Sequence, residues 1–175
     1  MFKRLLTAFS VMLLAILAVA CSTSTKSGSN QKIRVVATVD FYGEVAKAVG
    51  GDQVSVQSII DNPAIDPHDY EPTTKVGKQV ATANLIVASG IGYDGWMDKL
   101  VKSESKSKQY LRVADDLMGK HEGDNEHIWY DPRTMPKLAN ALADKFAKQD
   151  PSKKAIFKAN AKKYIASLDN LNALI

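Results

Sequence analysis

The sequence predicts an α/β fold: a four-stranded parallel sheet flanked by helices, ending in a long helix. Three observations carry this. Four short β-branched or apolar runs recur along the chain; stretches of helical spacing about ten residues long separate them; and the last third is helical throughout. Strands alternating with helices of that length imply right-handed crossovers and a parallel sheet.

The elements follow in order. Ile33–Val39 (IRVVATV) is too short for a helix and reads as a buried strand. Phe41, Val45, Ala46 and Val49 form a helical stripe that Gly50-Gly51 ends. Val54–Ile60 alternates, then turns continuous, as a second strand. The stretch from Asp61 to Pro72 carries Pro63, Pro67 and Pro72 and must be irregular. Thr73 or Thr74 can cap a helix bearing Val76, Val80, Ala81 and Ala83 on its inner side. Leu85–Ser89 is the third strand, and Gly90-Ile91-Gly92 after it reads as a tight turn, since it lacks the third glycine of a dinucleotide site. Trp96, Met97, Leu100 and Val101 share a helix face, and Tyr110–Ala114 reads as the fourth strand. Asp131-Pro132 places a carboxylate at an N-cap and proline at N1, before Met135, Leu138, Leu142 and Phe146; Asp150-Pro151 repeats the device. The final apolar stripe runs through 157, 161, 164, 168, 171 and 175, with no capping glycine, proline or polar closure after it.

The first twenty residues read as an address. Lys3 and Arg4 precede sixteen residues, Leu5 to Ala20, that are apolar except for Thr7 and Ser10. At 1.5 Å per residue this helix would span about 24 Å, short of the roughly 30 Å hydrocarbon core, so 1–20 reads as a secretory signal peptide. Cys21, the single cysteine of the chain, follows Ala18-Val19-Ala20 directly and has no partner for an internal disulfide. That segment resembles a bacterial lipobox, with Ala18 where the pattern usually has leucine. The resemblance implies lipidation at Cys21 and attachment to the cell membrane on its extracytoplasmic face. Residues 21–32 are small and polar, a flexible tether. The domain boundaries expected are therefore a signal at 1–20, a tether at 21–32, a folded lobe at 33–150 and a helix from 151 to 175.

Composition narrows the function. The chain has 175 residues, 23 Lys and Arg against 19 Asp and Glu, and a formal charge of +4, two units of which belong to Lys3 and Arg4. A balance so near neutral does not support nucleic-acid binding, which needs a concentrated basic face. Nothing points to an organic cofactor. The chemistry lies with three histidines: His68, His121 and His127. His68 and His127 are both flanked by carboxylates, on loops expected at one edge of the sheet. Neutral imidazole suits zinc and other first-row ions, and nearby acids can orient the second ring nitrogen. They are the candidate metal ligands. His121 reads as part of a solvated loop.

The motifs DPHDYEP (66–72) and HIWYDP (127–132), together with the strand IRVVATV and the segment ANLIVASGIGYDGWMDKL, resemble the cluster A-I metal-binding lipoproteins, the zinc- or manganese-specific solute-binding components of ABC importers. The resemblance covers Ile33 to Ile175. It implies that His68 and His127 ligate a transported Zn²⁺ or Mn²⁺, that an ABC-transporter permease is the partner, and that the fold is one lobe of a two-lobed solute-binding protein. It also implies that the helix from Ser152 begins the inter-lobe connection. Family members draw further ligands from a second lobe beyond that helix; the expectation here is a truncated form lacking it, in which two histidines offer half a site.

Two other classes compete with this one. A metal-dependent hydrolase needs an open coordination position and a general base; Glu126 and Asp69 could nominally serve, but each adjoins a candidate ligand and reads more naturally as supporting or solvated. No H-E-x-x-H, G-x-S-x-G or Cys–His arrangement is present, so no catalytic residues are expected. A surface adhesin or structural lipoprotein without metal draws no positive support from the sequence.

Overall fold

A computed structural model describes residues 31–104 and 109–172, with side chains described as far as 169. The expected signal peptide, Cys21, most of the tether and the last stripe position, 175, lie outside the described residues, as does the side chain at 171.

Four parallel strands, β1 (Ile33–Val39), β2 (Val54–Ile60), β3 (Leu85–Ala88) and β4 (Gln109–Arg112), form one sheet in the order β2-β1-β3-β4. Val35 pairs with both Val56 and Leu85, which makes β1 central. Every β1 residue except Arg34 is buried, which explains its mainly apolar sequence; Thr38 is the one buried polar residue in it. Edge strand β2 is only partly covered and alternates accordingly.

Five helices flank the sheet: α1 (Asp40–Gly50), α2 (Thr74–Thr82), α3 (Gly95–Glu104), α4 (Thr134–Gln149) and α5 (Lys154–Asn172). The chain leaves β1 in one direction for β2 and then crosses back to β3. Right-handed crossovers therefore place α1 on one face and α2 with α3 on the other. In keeping with this, α1 packs with α4 and α5, and α2 packs with α3. Phe146 of α4 and Phe157 of α5 are fully buried, their ring centroids 5.5 Å apart. Further along α5, Ala161 is buried while Tyr164, Ile165 and Leu168 are half-covered, so the stripe loses cover toward its end. Among the described residues no helix is long and apolar enough to cross a membrane.

Three boundaries differ from the sequence reading. β3 ends at Ala88 because Ser89 and Gly90 turn their N–H groups toward a carboxylate described below. β4 runs over 109–112, not 110–114: Val113 and Ala114 leave the ladder into a wide helical turn, Val113–Leu117, and Asp116 accepts the Arg112 N–H at 2.9 Å. The largest shift is at α4, which begins at Thr134 with Asp131 outside it. The Asp131 carboxylate accepts the Arg133 N–H at 2.9 Å and pairs with its guanidinium, so it closes a local turn instead of capping the helix.

At α5 the expected device is present. The Asp150 side chain accepts from the Ser152 N–H at 3.1 Å, with Pro151 opening a 3₁₀ turn that runs into the helix. Replacing Asp150 with alanine is expected to lower unfolding free energy by about 1 kcal/mol, read as a shift of the urea midpoint. An unchanged midpoint would mean that water caps this end equally well.

Candidate metal centre

In a parallel sheet the crevice at a ligand's disposal lies outside the carboxyl ends of the strands, where strand order reverses. Here that point is between β1 and β3. Their ends are tied by Asp94, a carboxylate only 1% exposed. It accepts the Thr38 hydroxyl of β1 at 2.5 Å, the Ser89 N–H at 2.7 Å and the Gly90 N–H at 3.0 Å. Burial pushes this carboxyl above the usual range, against the pull of the three hydrogen bonds. Beside it, the Tyr42 and Ser89 hydroxyls lie 3.2 Å apart.

The turn leaving β3 is left-handed at three successive residues: Gly90 (φ 90°), Ile91 (φ 44°) and Gly92 (φ 95°). Ile91 is a strained choice there, since β-branched side chains rarely adopt positive φ. A side chain at Gly90 would run into the Asp115 carboxylate, which accepts the Ile91 N–H at 3.3 Å. The turn delivers Tyr93 to the mouth of the crevice.

The two candidate histidines are held by the same local device. The Asp66 Oδ1 accepts the His68 backbone N–H at 2.9 Å and faces its Nδ1 at 2.8 Å. The Asn125 Oδ1 accepts the His127 N–H at 2.9 Å and faces its Nδ1 at 3.0 Å. An oxygen that only accepts holds the proton on Nδ1, which leaves Nε2 as the nitrogen with a lone pair for another partner when the ring is neutral. Both side chains thus engage Nδ1 locally in the same way.

His68 Nε2 lies 2.9 Å from Glu126 Oε1. With carboxylates at both nitrogens, the His68 imidazole is held above its usual pKa, Glu126 contributing most and Asp66 next. Glu126 is the residue before His127, so one loop reaches across to the other.

Aromatic rings join the two histidines. His68 stands edge-on to Tyr93 at 5.2 Å, Tyr93 packs on Trp129 at 4.9 Å, and Trp129 packs on His127 at 5.1 Å. Phe41, at the start of α1, backs Trp129 at 5.3 Å. The short 3₁₀ turn Ile128–Tyr130 that carries Trp129 is pinned by buried Ile128 and by the Thr134 hydroxyl, which donates to the Ile128 carbonyl at 2.6 Å.

A chain of ring contacts through Tyr93 and Trp129 therefore runs from His68 to His127. His121 is exposed in its own turn, its N–H donating to Asp124 Oδ2 at 2.9 Å. Asp69 is exposed, whereas Glu126 is engaged with a candidate ligand. Asp66, Asn125, Tyr93, Trp129 and Asp94 escaped the sequence reading as site-builders. One signal was available: Asp66-Pro67-His68 and Asn125-Glu126-His127 share an Asx two residues before the histidine. Among the described residues no three His, Cys, Asp or Glu side chains form a ready metal-holding group.

Residues 35–175 match the protein family described as ZnuA, zinc-uptake complex component A periplasmic. The chain is 36% identical over 183 residues to the manganese ABC transporter substrate-binding lipoprotein PsaA of Streptococcus pneumoniae, covering 97% of this chain and 59% of that one. It is 34% identical over 184 residues to the iron ABC transporter substrate-binding lipoprotein MtsA of Streptococcus pyogenes, with the same coverage. The fold is similar to the Zn(II)-bound ZnuA-like domain of Streptococcus pneumoniae AdcA (TM-score 0.69, 29% identity, 82% of this chain and 54% of that one). It is also similar to the periplasmic zinc binding protein TroA from Treponema pallidum (TM-score 0.73, 22% identity, 82% and 54%); at that identity the likeness shows the fold alone. The chain thus spans about 59% of the length of these curated relatives.

Proposed function

The chain belongs to the zinc-uptake complex component A family, and from that premise we propose that its α/β unit is one lobe of a solute-binding protein that captures a divalent metal ion for an ABC importer. The observation that carries this reading is the pair of Asx-held histidines, whose Nε2 atoms serve as ligands and whose rings are linked through Tyr93 and Trp129. His68 and His127 are the proposed ligands, and Zn²⁺ or Mn²⁺ the cargo. The role is binding, not catalysis.

The reading extends to the parts beyond the site. Residues 1–20 act as a secretory signal, Cys21 as the lipidated residue and 21–32 as a tether, so that the lobe at 33–150 works on the extracytoplasmic face of the membrane beside a permease. The helix over 151–175 begins the connection to a second lobe of the kind found in the family, which supplies the remaining ligands.

Zinc titration by competition with a chelating dye tests the ligand assignment. His68→Ala and His127→Ala are each expected to weaken Zn²⁺ binding by roughly a hundredfold, with zinc preferred over manganese by this lobe's nitrogen ligands. Binding weakens as the pH falls, because a proton held on His68 above its ordinary pKa competes with the ion. Equal affinities in wild type and both variants would sink the assignment.

A further inference from the structure

We propose that the outer face of α5 docks on a membrane surface rich in anionic phospholipid. The inference rests on the reading of Cys21 as a lipidated residue, which brings such a surface within reach of the folded unit.

The charge on this face has one sign. Lys154, Lys158, Lys162 and Lys163 of α5 are all exposed, and the helix carries no acid before Asp169. Lys158 is paired with Asp144 of α4 at 2.7 Å, whereas Lys154, Lys162 and Lys163 make no ion pair among the described residues. Asp150, the nearest other acid in sequence, is occupied in capping through the Ser152 N–H.

The shape suits a plane. With about 3.6 residues per turn, Lys154, Lys158 and Lys162 form one row along the helix, and Lys163 stands on the far side of a ridge of exposed Ala155, Ala159 and Ala166. The ridge is low, while its flanks are long and cationic. A helix of this profile can lie flat, its methyl groups against the headgroup layer and its ammonium groups reaching the phosphates on either side. Ile156, a large apolar side chain left 42% exposed, lies on the same side as Lys163 and adds an apolar contact.

The placement of α5 agrees with this. Helix α1 runs from the carboxyl end of β1 back toward the edge where β1 starts, and α5 meets it there, Asn160 Nδ2 donating to the Val49 carbonyl at 3.0 Å. The tether joins at that edge, through Lys32. A flexible chain over 21–32 spans about 20 Å root-mean-square, so a lipid at Cys21 keeps α5 at high local concentration beside the headgroups. His68 and His127 stay clear of the contact, since Trp129 between them packs on Phe41, at the opposite end of α1. Each lysine brought close to an anionic surface tightens association about fivefold, and salt screens the gain.

The test uses the full chain with its lipid, reconstituted in vesicles of phosphatidylcholine alone or mixed with phosphatidylglycerol, and follows acylation of each lysine by mass spectrometry. On the anionic vesicles at low salt, Lys154, Lys162 and Lys163 are expected to react about threefold or more slowly than on phosphatidylcholine, an effect that high salt abolishes. Lys75 and Lys78 of α2, which packs on the other face of the sheet, should react equally on both. With Cys21 acylated, a spin label introduced through Ile156→Cys gives a second readout: it should sit at the anionic surface, and leave it when Lys154→Gln, Lys162→Gln and Lys163→Gln are added. Equal acylation on the two kinds of vesicle, slowing shared by Lys75 and Lys78, or a label indifferent to the glutamine substitutions would each overturn the proposal. A chain that high salt washes from phosphatidylcholine vesicles shows that the anchor reading has failed; lysine protection on the anionic vesicles is read separately and still decides the docking face.

Discussion

Replacing Asp94 with alanine should lower the unfolding free energy by about 3–5 kcal/mol, a large part of the 5–15 kcal/mol typical of a domain. The carboxylate is the joint between β1 and β3, taking one hydroxyl and two backbone N–H groups at the point where the strands open into the crevice. Alanine leaves three buried donors without an acceptor, each costing about 1–3 kcal/mol, offset in part by any water that enters. Asparagine separates shape from chemistry. Its carbonyl can still take Thr38 and Ser89, but its amide then faces the Gly90 N–H, donor against donor, for a loss of about 1–3 kcal/mol.

The pH dependence gives a second handle on the same residue. Burial raises the folded pKa of Asp94 above its reference of 3.8. The folded state therefore binds the proton more tightly than the unfolded chain does. That contribution is complete below the unfolded pKa and is lost as the pH rises through the folded one. Wild type should thus gain on Asp94→Asn as the pH is lowered from neutral toward 4, measured as the gap between urea midpoints. A gap that narrows on acidification would contradict burial as the dominant influence on this carboxyl.

Asp94 also shows why some of this molecule is legible in the sequence and some is not. A strand buried on both faces must be largely apolar, so β1 and β3 announce themselves. A helix on such a sheet must carry one apolar stripe, so α1, α4 and α5 do as well. Histidines next to acids can be picked out by residue type, but His121 has acids beside it as well, and it is the motifs around His68 and His127 that set those two apart. Nothing in Gly92-Tyr93-Asp94-Gly95, however, says that the carboxylate folds back onto Thr38, because that depends on a turn with three positive φ angles, one of them at an isoleucine. Asp131 shows the opposite error. Asp-Pro is a sound helix-start signal, but the Arg133 guanidinium competes for the same carboxylate at 2.6 Å and postpones the helix to Thr134. Local signals name the candidates for a hydrogen bond; the neighbours brought by the fold choose among them.

Trp129→Ala is expected to weaken Zn²⁺ binding by about tenfold or more while leaving the sheet intact. The indole is the ring between Tyr93 and His127, and Phe41 supports it from α1. Removing it takes away the surface against which the His127 imidazole rests, so the ligand must be ordered by the ion itself. The fold should tolerate the loss, since the 128–130 turn keeps buried Ile128 and the Thr134 hydroxyl bond to the Ile128 carbonyl. For a half-buried ring the stability cost should be about 2 kcal/mol, below the 3–5 kcal/mol of fully buried aromatic truncations. Trp129→Phe retains an aromatic face and should recover most of the affinity. The decisive comparison is the double variant Trp129→Ala, His127→Ala: if the indole acts on the metal only through His127, the second substitution adds little to the loss already caused by His127→Ala. Additive losses in that cycle would mean that the tryptophan acts on the site by another route. An unchanged zinc affinity in Trp129→Ala, at the same cost in stability, would reduce the ring chain between the two histidines to packing.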